Sequence, residues 1–307
     1  MFSLSPTTAS FEARRFHVGD ATARERLQRI GEVFIAGFNR ALRADAPVEL
    51  YEHLDAVDAD LRGFAAEGAA MGCAIGDAVM LGGHRLRTWV DAADEFSYLT
   101  HVGAGWALGR VPWRRRAILR CLDPVHRWLA FDGLGFHDAY FYAPRIACGW
   151  RRLQAGYAAR TYDQGVGRAI WFIAGGNAER AIGLISNLSP ARRSDLWAGL
   201  GLALAYAGGA SPPALRSVAR AAGSALPSLA QGAAFAAEAH ARAHHMPAHT
   251  REAVRILSGL DAEDAVQLVR RVRTSLPPVE SAGAPRYERW RATVQRALGS
   301  AGGARRG

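Results

Sequence analysis

Asp132-Gly133-Leu134-Gly135-Phe136-His137 sets two glycines one residue apart inside a segment that otherwise reads as helix. Asp123-Pro124 opens that segment, with proline at a first-turn position where its missing N–H is tolerated, and the apolar pattern runs to about Tyr142. The same pattern, Gly–x–Gly/Ala followed by a larger residue, appears earlier as Gly68-Ala69-Ala70-Met71 and Gly103-Ala104-Gly105-Trp106. It returns as Gly165-Val166-Gly167-Arg168, Gly199-Leu200-Gly201-Leu202 and Gly232-Ala233-Ala234-Phe235. The first glycines of the six copies lie 35, 30, 32, 34 and 33 residues apart.

Each copy sits in a long helical stretch, and shorter ones fall between: Asn177–Asn187, Ser211–Ala222 and Thr250–Leu257. A period near 33 with one longer and one shorter helix is the signature of stacked helical hairpins. No stretch shows sustained strand alternation. The expected fold is all-α: about six helical-hairpin repeats of roughly 33 residues forming an α/α superhelix or toroid. Residues 1–20 form an N-terminal segment, 21–298 a single helical domain with irregular capping helices at both ends, and 299–307 a disordered tail.

Helical geometry gives the motif its meaning. At about 100° per residue, the two small residues point to nearly opposite flanks, so a neighbouring helix can approach on each side. The residue between them is always apolar and faces the layer of shorter helices. Opposite lie Glu67/Met71, Val102/Trp106, Asp132/Phe136, Gln164/Arg168, Ala198/Leu202 and Gln231/Phe235. One turn further come Ile75, Arg110, Tyr140, Phe172, Tyr206 and Ala239. This mixed polar and aromatic face is expected to line the concave side.

Two chemistries fit that face. In one, Glu67, Asp132 and Arg168 are catalytic groups, with the carboxylates as acid, base or metal ligands. Trp106, Phe136, Tyr140, Gln164, Phe172 and Gln231 then bind an extended, conjugated or hydrophobic ligand. In the other, Arg168 pairs with Asp132 or Glu67 in a buried network that holds the repeats in register. His101 and His137 fall on the flanks of the motif, where hydrogen-bonded packing is the commoner role. His240/His244 and His245/His249 are spaced by four as a helical metal pair needs, but Pro247 interrupts the second pair and no glutamate completes a metalloprotease arrangement. The sequence carries no cofactor signature and names no metal.

Composition removes several classes. All 38 basic residues are arginine, which rules out a Schiff-base lysine and a Walker-type phosphate loop. The formal charge of +10 comes in short, dispersed runs: Arg114-Arg115-Arg116, Arg151-Arg152, Arg192-Arg193, Arg270-Arg271 and Arg305-Arg306. Without zinc-finger spacing or an aromatic–glycine signature, nucleic acid is not an expected partner. Solvated faces explain these arginines, and the alternative is a docking surface for an acidic partner or an anionic membrane. Cys73, Cys121 and Cys148 are odd in number and widely spaced, as suits a reducing cytoplasm. The residues from Met1 to Ser10 lack the apolar core of a signal peptide. The longest apolar stretch, Leu196 to Ala210, has 15 residues and is too short to span a bilayer.

Taken as whole phrases, the chain resembles the family known as domain of unknown function 1702, which includes UnbL-type proteins encoded beside the polyketide synthase of enediyne antibiotic clusters. The phrases are Glu67-Gly-Ala-Ala-Met71, His101-Val-Gly-Ala-Gly-Trp106, Asp132-Gly-Leu-Gly-Phe-His137 and Asp163-Gln-Gly-Val-Gly-Arg168 with Trp171-Phe172. Asp195-Leu-Trp-Ala-Gly199 with Ala205-Tyr-Ala-Gly208, and Gln231-Gly-Ala-Ala-Phe235, complete them, over about residues 25 to 275. The resemblance implies a part in maturing a linear polyene from the synthase toward the enediyne core, as an enzyme or catalytic subunit, or as a non-catalytic scaffold or carrier. It also implies UnbV-type and UnbU-type partners, the latter a membrane protein, and so a cytoplasmic chain that meets the membrane through a partner. It supplies no catalytic residues.

Overall fold

The computed structural model describes residues 3–44, 46–80, 83–148, 154–277 and 283–304. The runs Arg151-Arg152 and Arg305-Arg306 lie outside them. The described residues are helical, with no strand among them, and every glycine motif is inside a long helix. Seven such helices follow one another: α1 (Ala21–Ala41), α2 (Arg62–Val79), α3 (Ser97–Arg110), α4 (Leu129–Phe141), α5 (Gly156–Ile173), α6 (Arg193–Tyr206) and α7 (Leu226–Arg242). Each packs on the next along the chain. Then come α8 (Ala248–Ser258), α9 (Ala262–Ser275) and α10 (Arg286–Ala304), all against α7. The last helix thus continues through the first residues of the stretch expected to be a loose tail.

Local chemistry sets the helix boundaries. Before α4, Asp123 Oδ1 accepts from the backbone N–H groups of Val125 and His126, each at 2.9 Å. The helix itself begins after a 3-10 turn at His126–Trp128. Ser189-Pro190 opens a similar turn before α6, and the chain leaves α6 through Gly208 and Gly209 at φ 72° and 84°, a conformation that favours glycine. Short helices Ala178–Ser186 and Pro212–Ala222, capped by Asn177 and Ser211, match the expected intervening segments.

The motif works through the backbone. A Cβ added at Gly103 would collide with the carbonyl oxygen of Glu67, and one at Gly133 with that of Val102. Gly165 meets Asp132 O, Gly199 meets Gln164 O, and Gly232 meets Ala198 O in the same way. The second small residue returns the contact to the following helix: Gly105 with Ala130 O, Gly135 with Tyr162 O, Gly167 with Leu196 O, and Gly201 with Leu229 O. All these positions fall inside the 3.0 Å limit that real Cβ atoms respect, so only glycine fits without backbone displacement. Neighbouring helices therefore meet in reciprocal pairs of Cα–H and carbonyl, a close approach that Cα–H···O attraction reinforces by about 0.5–1 kcal/mol per contact.

Helix α1, expected to be an irregular cap, belongs to the same series. Gly68 meets Phe34 O, and Gly37 meets Ala65 O. Phe34-Ile35-Ala36-Gly37 is thus a seventh copy in which Ile35 stands at the first small position, 33 residues before Gly68. Among the described residues no long helix lies before α1 in the chain, and its first small position carries isoleucine.

The long helices run in one direction. Arg110 at the end of α3 lies over the Phe141 ring at the end of α4, 4.2 Å from its centroid. Trp171 near the end of α5 donates to Gly208 O just beyond α6, at 2.9 Å. At the opposite ends, Arg160 of α5 pairs with Asp195 of α6 at 3.1 Å, and Ser194 meets Ser228 at 2.8 Å. Early and late helices also touch: Arg26 Nε of α1 donates to Ala207 O at 2.5 Å, and Phe64 of α2 packs edge-on to Tyr206 of α6 at 5.1 Å. The N-terminal segment spans the carboxyl-terminal ends of the helices, tied at Leu4 N to Asn39 Oδ1 (2.8 Å) and at His17 N to Ile173 O (3.0 Å).

Two glycine substitutions should move stability in opposite directions. Gly135→Leu should cost about 3 kcal/mol or more, because its side chain must displace the backbone at Tyr162. Gly183→Ala, in the exposed helix Ala178–Ser186 with nothing near its added methyl, should gain roughly 0.5–1 kcal/mol. Urea denaturation of both variants measures the contrast. A neutral Gly135→Leu would contradict the close approach of α4 and α5.

Candidate functional site

The residue whose carbonyl is clasped by the next helix turns its side chain toward the interior. Glu67, Asp132 and Gln164 occupy that position on α2, α4 and α5, and all three are buried. Arg168, one turn after Gln164, reaches between the two carboxylates. Its Nε lies 2.8 Å from Asp132 Oδ1 and its Nη2 lies 3.9 Å from Glu67 Oε1. Its guanidinium also sits over Phe136, 4.9 Å from the ring centroid. Trp106 Nε1 donates to Glu67 Oε1 at 2.9 Å.

Two cavities flank this cluster. The first has about 750 Å³ of empty space, its open mouth included. Trp106, Phe136, Tyr140 and Phe172 wall it, with Phe34 of α1, and Glu67 and Arg168 lie at its inner end. Leu4, Thr8 and Ala9 of the N-terminal segment border it toward the carboxyl-terminal ends of the helices. The second cavity, about 510 Å³, lies toward the opposite ends among Tyr98, Val102, Asp132, Phe235, Tyr287 and Trp290. Arg168, Leu202 and Tyr206 line both. The two spaces are end to end, and Arg168 stands where they meet.

The aromatic wall is a series of rings in contact, with one parallel pair. Phe136 and Tyr140 are nearly parallel at 5.8 Å and 20°, Trp106 lies 5.1 Å from Phe136, and Phe34 lies 4.6 Å from Trp106. Faces and edges of successive rings together make an apolar wall that suits a conjugated or hydrophobic chain.

The polar end is incompletely satisfied. Asp132 Oδ1 and Oδ2, Arg168 Nε and Nη2, and Gln164 Oε1 are buried without an aligned hydrogen-bond partner, although Arg168 and Asp132 are in ion-pair contact. Unpartnered buried polar atoms cost on the order of 1–3 kcal/mol each, so this cluster is an energetic debt unless a ligand group completes it. Burial pushes the Glu67 carboxyl up to about 7, against the opposing pull of Arg168 and the Trp106 indole, with Asp132 adding to the rise. Burial likewise raises Asp132, partly offset by Arg168 and Gln164. A carboxyl that titrates near neutrality is suited to general acid–base work.

Among the expected site residues, Glu67, Asp132, Arg168, Trp106, Phe136, Tyr140 and Phe172 line these two cavities, and Gln164 borders Asp132 and donates to Tyr287 Oη at 3.4 Å. Gln231 does not join them. Its amide oxygen instead accepts from Arg291 Nε (3.4 Å) and Gln295 Nε2 (3.0 Å), and Arg291 in turn pairs with Asp195 at 2.8 Å. Phe34, Tyr206, Tyr287 and Trp290 complete the lining without having been singled out as site residues. Phe34 carries a legible signal, its place 33 residues before Glu67 in the series. Tyr287 and Trp290 stand on α10, which has no motif.

The histidines have packing partners. His101 Nδ1 donates to Ser97 O at 2.6 Å and its Nε2 accepts from Asp123 N at 3.0 Å, so both nitrogens are used. His137 Nδ1 meets Asp138 Oδ1 at 2.9 Å. His240 stacks on Tyr206 at 4.1 Å, and both His240 and His249 donate from Nε2 to Tyr206 O, at 3.4 and 3.3 Å. Burial lowers the His240 pKa to about 3, holding that ring neutral. No group of three or more His, Cys, Asp or Glu is arranged for a metal ion among the described residues.

The raised Glu67 carboxyl gives a signed prediction. The unfolded chain loses this proton near 4.5 and the folded one near 7, so the folded state binds more protons between them. Stability from this linkage is complete below the lower value and is lost as pH rises through the upper one, by about 3 kcal/mol. Glu67→Gln should flatten that slope between about pH 5 and pH 8 in urea titrations. An unchanged slope would place the Glu67 proton elsewhere.

A family model described as "Protein of unknown function (DUF1702)" matches residues 1–298. Neither the search of curated proteins nor that of solved structures returned a match. No helix among the described residues is long and apolar enough to cross a membrane. With the match extending over nearly its whole length, the chain belongs to the DUF1702 family.

Proposed function

We propose that the protein binds a linear polyene made by a polyketide synthase and matures it toward an enediyne core, as an enzyme or the catalytic subunit of one. In this reading the chain is of the UnbL type, and its long helices wind as an α/α superhelix around the ligand. The observation that carries the proposal is the pairing of an aromatic-walled cavity with an under-satisfied Glu67–Arg168–Asp132 cluster at its inner end. The polyene lies along Trp106, Phe136, Tyr140 and Phe172. Its carboxylate or thioester end meets the Arg168 guanidinium, whose planar donors suit such groups. Glu67 and Asp132 then move protons on the bound chain. Nothing in this assignment depends on Gln231, which serves α10 instead.

A second reading is favoured by one contact. Arg168 and Asp132 form a buried ion pair at 2.8 Å, which can hold α4 to α5 and leave the protein a non-catalytic carrier. Asp132→Asn separates the two, because it keeps size and removes charge. Under the enzyme reading it abolishes product in a reconstituted pathway while the melting temperature stays nearly unchanged. Loss of folding makes Asp132 a structural partner of Arg168, and a stable, fully active variant removes it from the chemistry.

The same reading assigns UnbV-type and UnbU-type partners, with the membrane protein bringing this chain to the bilayer. Co-expression of the three should yield a complex that survives purification at modest salt. Recovery of three separate proteins across a range of salt and detergent conditions would leave the partnership unsupported.

A further inference from the structure

The end of the molecule where α2 and α3 finish carries three exposed large apolar side chains, including the two most exposed among the described residues. Trp113 is 73% exposed, Met80 60% and Val79 57%. Val79 and Met80 stand at the end of α2 and Trp113 just after α3, and the two segments are linked where Arg114 Nη2 donates to Asp77 O at 3.4 Å. Three arginines rim them. Arg110 and Arg116 are exposed and Arg114 is half-buried, and none has a carboxylate within ion-pair distance among the described residues. The nearby carboxylates are otherwise engaged. Asp77 accepts from the N–H groups of Arg85 and Leu86, both at 3.0 Å, and Asp138 accepts from the Tyr162 hydroxyl at 2.9 Å while meeting His137. A soluble surface gains nothing from leaving an indole and a thioether in water beside unpaired cations.

We propose that this end docks directly on an anionic lipid membrane, with Trp113, Met80 and Val79 entering the boundary between headgroups and acyl chains and Arg110, Arg114 and Arg116 meeting lipid phosphates. Tryptophan favours that boundary, where one part of the ring is apolar and its N–H is wet. Arginine near an anionic leaflet is attracted by the surface potential. The position of the first cavity favours lipid over a protein partner. Phe141, which lines that cavity, lies directly beneath Arg110, so the apolar space borders the same end of the molecule as the patch. An apolar ligand leaving a bilayer there reaches the cavity without crossing water. The proposal concerns the surface alone and does not rest on the identity of the ligand or on any partner protein.

The test uses the purified full chain with vesicles of phosphatidylcholine alone and vesicles of equal parts phosphatidylcholine and phosphatidylglycerol. The protein should sediment with the anionic vesicles and stay in solution with the neutral ones, and added salt should release it. Trp113→Ala combined with Met80→Ser should weaken binding about tenfold or more. Arg114→Gln and Arg116→Gln should each weaken it roughly fivefold. Brominated acyl chains should quench the wild-type tryptophan fluorescence, and Trp113→Phe should lose that component, which locates the contact without relying on a destabilised variant. Equal partition onto neutral vesicles, undiminished binding of the Trp113/Met80 variant, or absence of Trp113-dependent quenching would overturn the proposal. So would a Trp113-dependent dimer in sedimentation velocity without vesicle binding, which would make the patch a contact between copies of this chain.

Discussion

Contact between a glycine Cα and a carbonyl oxygen of the adjacent helix governs this structure. Each long helix after the first offers one bare Cα to the helix before it, and most of the seven offer one to the helix after. The backbones come so close that side-chain packing has little freedom to decide the distance. Helix spacing and relative height are therefore set by main chain, and a side-chain change elsewhere does not easily alter them. Chemistry follows directly, because the clasped carbonyls of the second, fourth and fifth helices belong to Glu67, Asp132 and Gln164. The contact that fixes the architecture also fixes the Cα positions of the polar groups at the centre.

What those groups do is then a matter of electrostatics in a dry space. One guanidinium stands between two carboxylates, at unequal distances of 2.8 and 3.9 Å. The nearer, Asp132, takes most of the positive charge, and Glu67 keeps an indole N–H and a weaker attraction. Desolvation acts on both carboxylates, and Glu67 is carried to about 7. The asymmetry distinguishes two otherwise similar residues: Asp132 is held close by the guanidinium, while Glu67 meets it at longer range and titrates near neutrality. It arises because the glycine clasp sets Asp132 on the helix next to Arg168 and Glu67 on a helix farther round the cavity.

The fold was legible because its determinant is a residue type. Six pairs of small residues, each led by a glycine and spaced near 33, disclose the helices, their direction toward two neighbours and the face that turns inward. Reading stopped where the signal stopped. Phe34-Ile35-Ala36-Gly37 does the same work with one glycine, and a pattern that begins with glycine passes over it. Tyr287, Trp290 and Arg291 approach from α10 by a tertiary contact unrelated to the repeat, and no local spacing announces it. Gln231 was legible as inward-facing, but its partners Arg291 and Gln295 were not, so its turn away from the cluster could only be seen in three dimensions.

The contacts between early and late helices have a consequence for how the chain reaches this state. Neighbouring long helices are joined across about 35 residues or fewer, and such short-range pairing is fast and can begin anywhere along the array. The bonds that link early and late helices are of another kind: Arg26 to Ala207 spans 181 residues, and Tyr98 to Glu238 spans 140. They can form only after every intervening helix has been added. Folding that begins with neighbouring helices therefore ends with these long-range contacts, and until they form, the aromatic lining of the first cavity stays open to water.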